Sequence, residues 1–225
     1  AIRKAGMEPG NIDCAFAGDL LNQCISSGFS ARELEIPYYG LYGACSTMID
    51  GLSLGAISID GGGFDRTIAV ASSHFCTAER QYRTPLEYGG QRTPTAQWTV
   101  TGAGAAVLEK RQFPPYITHI TTGKVIDFGV TDPNNMGGAM APAAIDTLKA
   151  HFRDTKRSPK NYDLILTGDL GKVGREIVID MMTAGGFDME QNYNDTGCMI
   201  YDFETQDVHA GGSGCGCVAV TLCGY

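Results

Sequence analysis

No stretch of this chain approaches the roughly 18 consecutive apolar residues that a membrane-crossing helix needs. Its longest apolar runs, at 67–71 and 218–222, have the length of strands. Basic residues are few and scattered: 17 Lys and Arg stand against 25 Asp and Glu, for a net charge of −8. Without a basic cluster, charge-driven binding to nucleic acid or to an anionic membrane surface is excluded. No initiator methionine and no signal pattern open the chain, which starts as Ala1-Ile2-Arg3-Lys4-Ala5-Gly6-Met7, inside an amphipathic pattern, and stops at Cys223-Gly224-Tyr225. The expectation is a piece of a longer protein lacking both ends. What is present suffices for a core: 225 residues, 43% hydrophobic, with 30 glycines, lie within the globular range and exclude both disorder and a disulfide-stapled miniature.

Eight cysteines, at 14, 24, 45, 76, 198, 215, 217 and 223, raise the questions of disulfides and of metal. Most sit in apolar surroundings, where a reduced thiol acts as a small hydrophobe. Cys215-Gly216-Cys217 with His209 nearby is the candidate cluster, but it lacks the second ligand pair of a zinc site, so no metal and no cofactor are expected.

Periodicity predicts a helix to about Gly6, then a strand at 13–17, a helix at 19–28, a strand at 37–43, a helix at 46–59 and a strand at 66–72. An irregular excursion follows at 74–98. The second half is read as strands at 103–109 and 117–130, a helix at 138–153, a strand at 162–167, a helix at 172–184 and a helix after Gly214. Alternation of this kind predicts an α/β fold with a mainly parallel sheet. An internal repeat supports two halves, divided as 1–110 and 111–225. Ile12-Asp13-Cys14-Ala15-Phe16-Ala17-Gly18-Asp19-Leu20 matches Tyr162-Asp163-Leu164-Ile165-Leu166-Thr167-Gly168-Asp169-Leu170 at an offset of 150 residues.

Two positions carry chemistry. Cys45, in Gly43-Ala44-Cys45-Ser46-Thr47, falls at a strand-to-helix junction, where a helix N-terminus favours thiolate. His209 opens a glycine-rich turn, His209-Ala210-Gly211-Gly212-Ser213-Gly214, whose N–H groups suit an anion and whose imidazole suits a base. His119 is read as a strand residue, His151 as a solvated helix residue and His74 as pocket lining.

Gly43 to Thr47, Asp50-Gly51-Leu52, Thr131-Asp132-Pro133-Asn134-Asn135-Met136-Gly137-Gly138 and the His209 turn resemble the thiolase-fold superfamily. Within it, the segments 43–48, 74–83, 89–98 and 208–217 resemble the stage V sporulation protein AD family of spore-forming Firmicutes. The resemblance implies a thiolase-like, two-half pseudo-duplicated fold with αβαβα layers. It also marks a departure: where the enzymes carry an Asn-Glu-Ala-Phe motif or a histidine, this chain has Gly168-Asp169-Leu170-Gly171, and Gly211-Gly212 replaces a proline-containing turn.

The resemblance therefore implies a catalytically inactive homologue that binds dipicolinic acid, as the free dianion or its calcium chelate, and supports its uptake into the developing spore. Its implied setting is peripheral at the forespore or spore inner membrane, as a homodimer working with membrane-embedded stage V proteins. The ligand set it suggests is Cys45, Ser46, His74, Arg80, Arg83, Arg92, His209, Gly211 and Gly212. The alternative is an acyl-transferring or condensing enzyme with Cys45 as nucleophile and His209 as base.

Overall fold

The computed structural model describes residues 1–82, 89–111 and 113–225. Of these, 1–82, 99–111, 113–120 and 214–225 form one compact unit, and 89–98 with 121–213 form a second. The division expected at 110/111 thus falls inside the first unit.

The first unit is built on a four-stranded sheet in the order β2 (Tyr38–Gly40), β1 (Cys14–Asp19), β3 (Arg66–Ser73), β5 (Gly102–Glu109). The first three strands are parallel and β5 is antiparallel to β3. Side chains on β3 and β5 alternate between faces, as the period of two requires. Ala69 and Ala71, with Ala106 and Leu108, join Leu20, Met48, Cys215, Val218 and Ala219, which brings helices α2 (Thr47–Asp60) and α7 (Cys215–Gly224) onto one face. Ile68 and Val70, with Ala105 and Val107, join Ile12, Ala15 and Ile36 in the other cluster. Close approach needs absent side chains: a Cβ on Gly104 would stand 2.8 Å from the Ala219 Cβ. Helix α1 (Ile25–Leu34) begins later than the 19–28 reading, because the Asp19 carboxylate accepts Ser26 N–H at 2.9 Å and thereby fixes where the helix starts. The excursion at 74–98 is not wholly irregular. It opens with helix α3 (Phe75–Tyr82), whose Glu79, fully buried, accepts the Thr99 hydroxyl at 3.0 Å. The two-residue strand β4 (Trp98–Thr99) follows.

In the second unit, α4 (Met136–Thr155) starts where Asn135 accepts Gly138 N–H at 3.0 Å. It packs on α5 (Gly171–Ala184) where Gly137 and Gly174 meet, a Cβ on Gly137 coming 2.8 Å from Gly174 N. Strand β6 (Ile165–Thr167) pairs in parallel with β7 (Tyr193–Asp195), which leads into the single turn α6 (Thr196–Met199). The core holds Ile145, Phe152, Leu170, Val178, Met182 and Tyr193. Strand β8 (Gly212–Ser213) closes the unit.

Traces of duplication persist. Pro9–Asn11 and Pro159–Asn161 are matching 3-10 turns, each closed by a capping box, and each leads into a strand that pairs in parallel with a later one. The strand expected at 117–130 is not formed. Among the described residues no ladder partner meets that segment, and Val125 is 98% exposed. His119 accordingly lies on exposed coil. His151 is not solvated as expected: it is half-buried, with its ring nitrogens 2.8 Å from the Thr121 hydroxyl and 2.7 Å from the Tyr162 hydroxyl.

Candidate functional site

In the first unit, Cys45 sits in a 3-10 turn, Ala44–Ser46, that runs directly into α2. The turn is wound tightly. Ala44 holds φ 50°, a left-handed backbone that costs a residue with a Cβ. Gly43 N–H donates to the Thr47 hydroxyl at 3.2 Å, and that hydroxyl donates to Ala44 O at 2.8 Å. Ser46 Oγ donates to the Asp50 carboxylate at 2.8 Å. A side chain on Gly43 would overlap both Asp50 and Ser46. The thiol is half-buried and packs with Ala44 against the Leu20, Met48 and Cys215 cluster. Tyr82, whose hydroxyl donates to Leu20 O at 3.2 Å and lies 3.4 Å from the Tyr42 hydroxyl, belongs to the same locality. Burial pushes its phenol well above the ordinary value, and the Tyr42, Cys45 and Cys215 groups add to the rise.

The second unit supplies His209. Its backbone is left-handed, φ 47°, and its imidazole Nε2 lies 3.7 Å from the Asp207 carboxylate. Gly211 follows at φ 108°, where only glycine is comfortable, and both Gly211 and Gly212 are buried. Arg92 reaches 3.9 Å over the Trp98 ring and donates to Gln97 O at 3.0 Å.

The segment that departs from the enzyme pattern lies in this unit. At its centre is Asp195, fully buried, which accepts Leu170 N–H at 3.0 Å, Gly171 N–H at 2.8 Å, Gly197 N–H at 2.9 Å and the Thr167 hydroxyl at 2.8 Å. One carboxylate thus serves the amino ends of both α5 and α6, where helix dipoles favour negative charge. Burial nevertheless pushes Asp195 up to about 6, with buried Asp169 adding repulsion against those stabilising donors. The nearby Cys198 thiol is pushed up to about 12, chiefly by burial. The ends of β6 and β7 therefore hold an acidic pair, Asp169 and Asp195, the latter anchored by backbone N–H groups, with neither imidazole nor carboxamide in the segment 168–171.

Of the residues expected at a site, Cys45, Ser46, His74 and Arg80 belong to the first unit, and Arg92, His209, Gly211 and Gly212 to the second. Arg83 lies outside the described residues. His74 is exposed and uses its carbonyl to accept Ala78 N–H at 3.1 Å at the start of α3; Arg80 is exposed on the same helix. A cavity of about 530 Å3 in the first unit, lined by Leu52, Ala56, Leu108, Phe113 and Tyr116 among others, includes none of them. Among the described residues, no three His, Cys, Asp or Glu come together as a metal site. Sequence reading missed Asp195, although Asp195-Thr196-Gly197 has the form of a helix cap, and it missed Gln97, for which no pattern exists.

A family model described as stage V sporulation protein AD matches residues 1–225. The stage V sporulation protein AD of Bacillus subtilis (strain 168) is 48% identical over 220 residues, covering 98% of this chain and 65% of the relative, so the chain spans a little under two thirds of that protein's length. Among solved structures, 3-oxoacyl-[acyl-carrier-protein] synthase III from Aquifex aeolicus VF5 aligns at TM-score 0.64 and 12% identity, over 99% of this chain and 70% of that one. Xanthomonas campestris OleA, solved with bound lauric acid and lauroyl-CoA, aligns at TM-score 0.66 and 15% identity, over 100% of this chain and 70% of that one. At such identities these two likenesses establish the thiolase-like α/β fold.

Proposed function

Because the chain belongs to the stage V sporulation protein AD family and so has a role in sporulation, we propose that it is a non-enzymatic thiolase-fold protein that binds dipicolinic acid and supports its uptake into the developing spore. The observation that carries the non-enzymatic part is the end of β6. Condensation needs a proton carrier and an oxyanion donor beside the reacting carbonyl, and loss of one such group slows chemistry by orders of magnitude. Here Asp169 and Asp195 are buried there instead, and acidic groups of that kind disfavour an oxyanion.

Binding asks less. A flat dianion needs N–H groups, a cation and an aromatic face. The turn at 209–212 and Arg92 stacked on Trp98 are groups of those kinds. The calcium chelate is an equally suitable cargo, its metal offsetting the charge carried into an acidic protein. No helix among the described residues is long and apolar enough to cross a membrane, in keeping with peripheral attachment at the forespore or spore inner membrane. There the protein works as a homodimer with membrane-embedded stage V partners.

A second reading is favoured by one observation: Cys45 stands where a nucleophile belongs, immediately before α2. One experiment separates the two. Iodoacetamide labelling of Cys45 at neutral pH should be no faster than that of the other seven thiols, and acyl-thioesters should not be turned over. Labelling of Cys45 faster than that of the others, accompanied by thioester turnover, would establish the enzyme and overturn the non-enzymatic reading.

A further inference from the structure

The turn that carries His209 is held in place by a short neighbouring segment. Ala210 N–H donates to Ala96 O at 3.0 Å, Trp98 N–H donates to Gly211 O at 2.8 Å, and Lys172 N–H, in the first turn of α5, donates to Ala210 O at 2.8 Å. Between these backbone bonds lies Gln97, only 1% exposed. Its Nε2 donates to Gly212 O at 2.6 Å and to Asp169 O at 2.8 Å. One side-chain amide thus joins the turn to the end of β6. Gly171, at φ +66°, leaves the space for it: a Cβ there would stand 2.8 Å from Gln97 Nε2 and overlap Ala210 O. The left-handed backbone of His209, φ 47°, persists only where the surroundings over-determine it, and these bonds do so.

Gln97 also carries a cost. Its Oε1 is buried with no hydrogen-bond partner among the described residues, and an unpaired buried acceptor lowers stability. A methionine of similar length would fill the space without an unpaired oxygen of its own, but it would leave Gly212 O and Asp169 O without this donor. Packing alone therefore does not account for an amide here, whereas its two donors do.

We infer that Gln97 is a positioning residue: it sets the 209–212 turn, and through it the imidazole of His209, for the ligand. The ligand part rests on the function proposed above. Like Arg92 and Trp98, Gln97 sits on the segment 89–98, so that segment acts as the brace of the histidine turn in addition to supplying a cation.

The test uses the full chain with Gln97→Met, observing the His209 imidazole by NMR across pH, with His74, His119 and His151 as references, and dipicolinate affinity by calorimetry. The expected result is a melting temperature below that of the wild type, because the Gly212 and Asp169 carbonyls lose their donor, together with a displaced His209 resonance and affinity weakened about tenfold, as loss of a bond of ordinary strength predicts. Gln97→Glu gives a second measure that remains if the methionine variant does not fold. Its neutral carboxylic acid restores one donor, so affinity relative to wild type should recover as pH falls and fade as pH rises. A wild-type His209 resonance with wild-type affinity in the variants would overturn the inference. Absence of dipicolinate binding by the unaltered protein would overturn the proposed function instead, and the His209 resonance would still decide the role of Gln97.

Discussion

Asp195 accepts the backbone N–H of Gly171 at 2.8 Å, so the first residue of α5 is anchored by a fully buried carboxylate. Thr167, Leu170 and Gly197 also donate to it, while Asp169 repels it and Tyr193, Cys198 and Arg175 lie in its surroundings. Its carboxyl titrates near 6 when folded, against about 3.9 for a free aspartate.

A pH dependence of unusual sign follows from that rise. The native state holds the proton more tightly than the unfolded chain, so protonation stabilises the fold. The contribution is complete below about pH 4 and is lost as pH rises through about 6, a swing of about 3 kcal/mol. Urea unfolding between pH 4 and 7.5 should show this swing as the difference between wild type and Asp195→Asn. The variant itself should be less stable at low pH, by about 1–3 kcal/mol, because its amide meets backbone donors with donors of its own. Parallel stability curves for the two proteins would contradict the assigned burial.

The Cys45 turn makes a second prediction. A methyl group on Gly43 overlaps Asp50 and Ser46, so Gly43→Ala should break the 2.8 Å Ser46–Asp50 bond and destabilise by about 1–3 kcal/mol, as overpacking does. Melting temperature measures the loss of stability, and the altered alkylation rate of Cys45 relative to Cys76 and Cys223, both exposed, measures the change at the turn. An alkylation rate equal to wild type would mean that the turn does not set the thiol.

Gly211→Ala tests the histidine turn. The position has φ 108°, and a Cβ would meet Gly197 O and stand 3.0 Å from Phe203 Cζ. A strained backbone of this kind costs about 1–3 kcal/mol. The variant should therefore melt earlier and bind dipicolinate more weakly, with Gly186→Ala, also at positive φ but with nothing within 4 Å of its Cβ, as the control for strain alone. Equal affinity in both variants would remove Gly211 from the site.

Much of this architecture was legible because its signals are local. The apolar run at Ile68-Ala69-Val70-Ala71 and the helical periodicity from Gly138 declared β3 and α4 within two residues of their observed starts. The junction at Cys45 was readable for the same reason, its small residues lying side by side. Misreadings came where a distant group decides. Helix α1 waits for the Asp19 carboxylate, seven residues before Ser26, and no strand forms at 117–130 because backbone groups without a ladder partner gain nothing from extension. Strand β7 has only three residues, too few for a period, so the acid at its end went unnoticed. Gln97 was invisible because its role consists of two bonds, to residues 72 and 115 positions away.

The most direct test of the proposed function is a calorimetric titration of the complete protein with dipicolinate, with and without calcium, in wild type and Gly211→Ala. The expected result is saturable one-to-one binding by the wild type, weakened at least severalfold in the variant. No heat of binding from the wild type at millimolar dipicolinate, in either condition, would contradict the binding role.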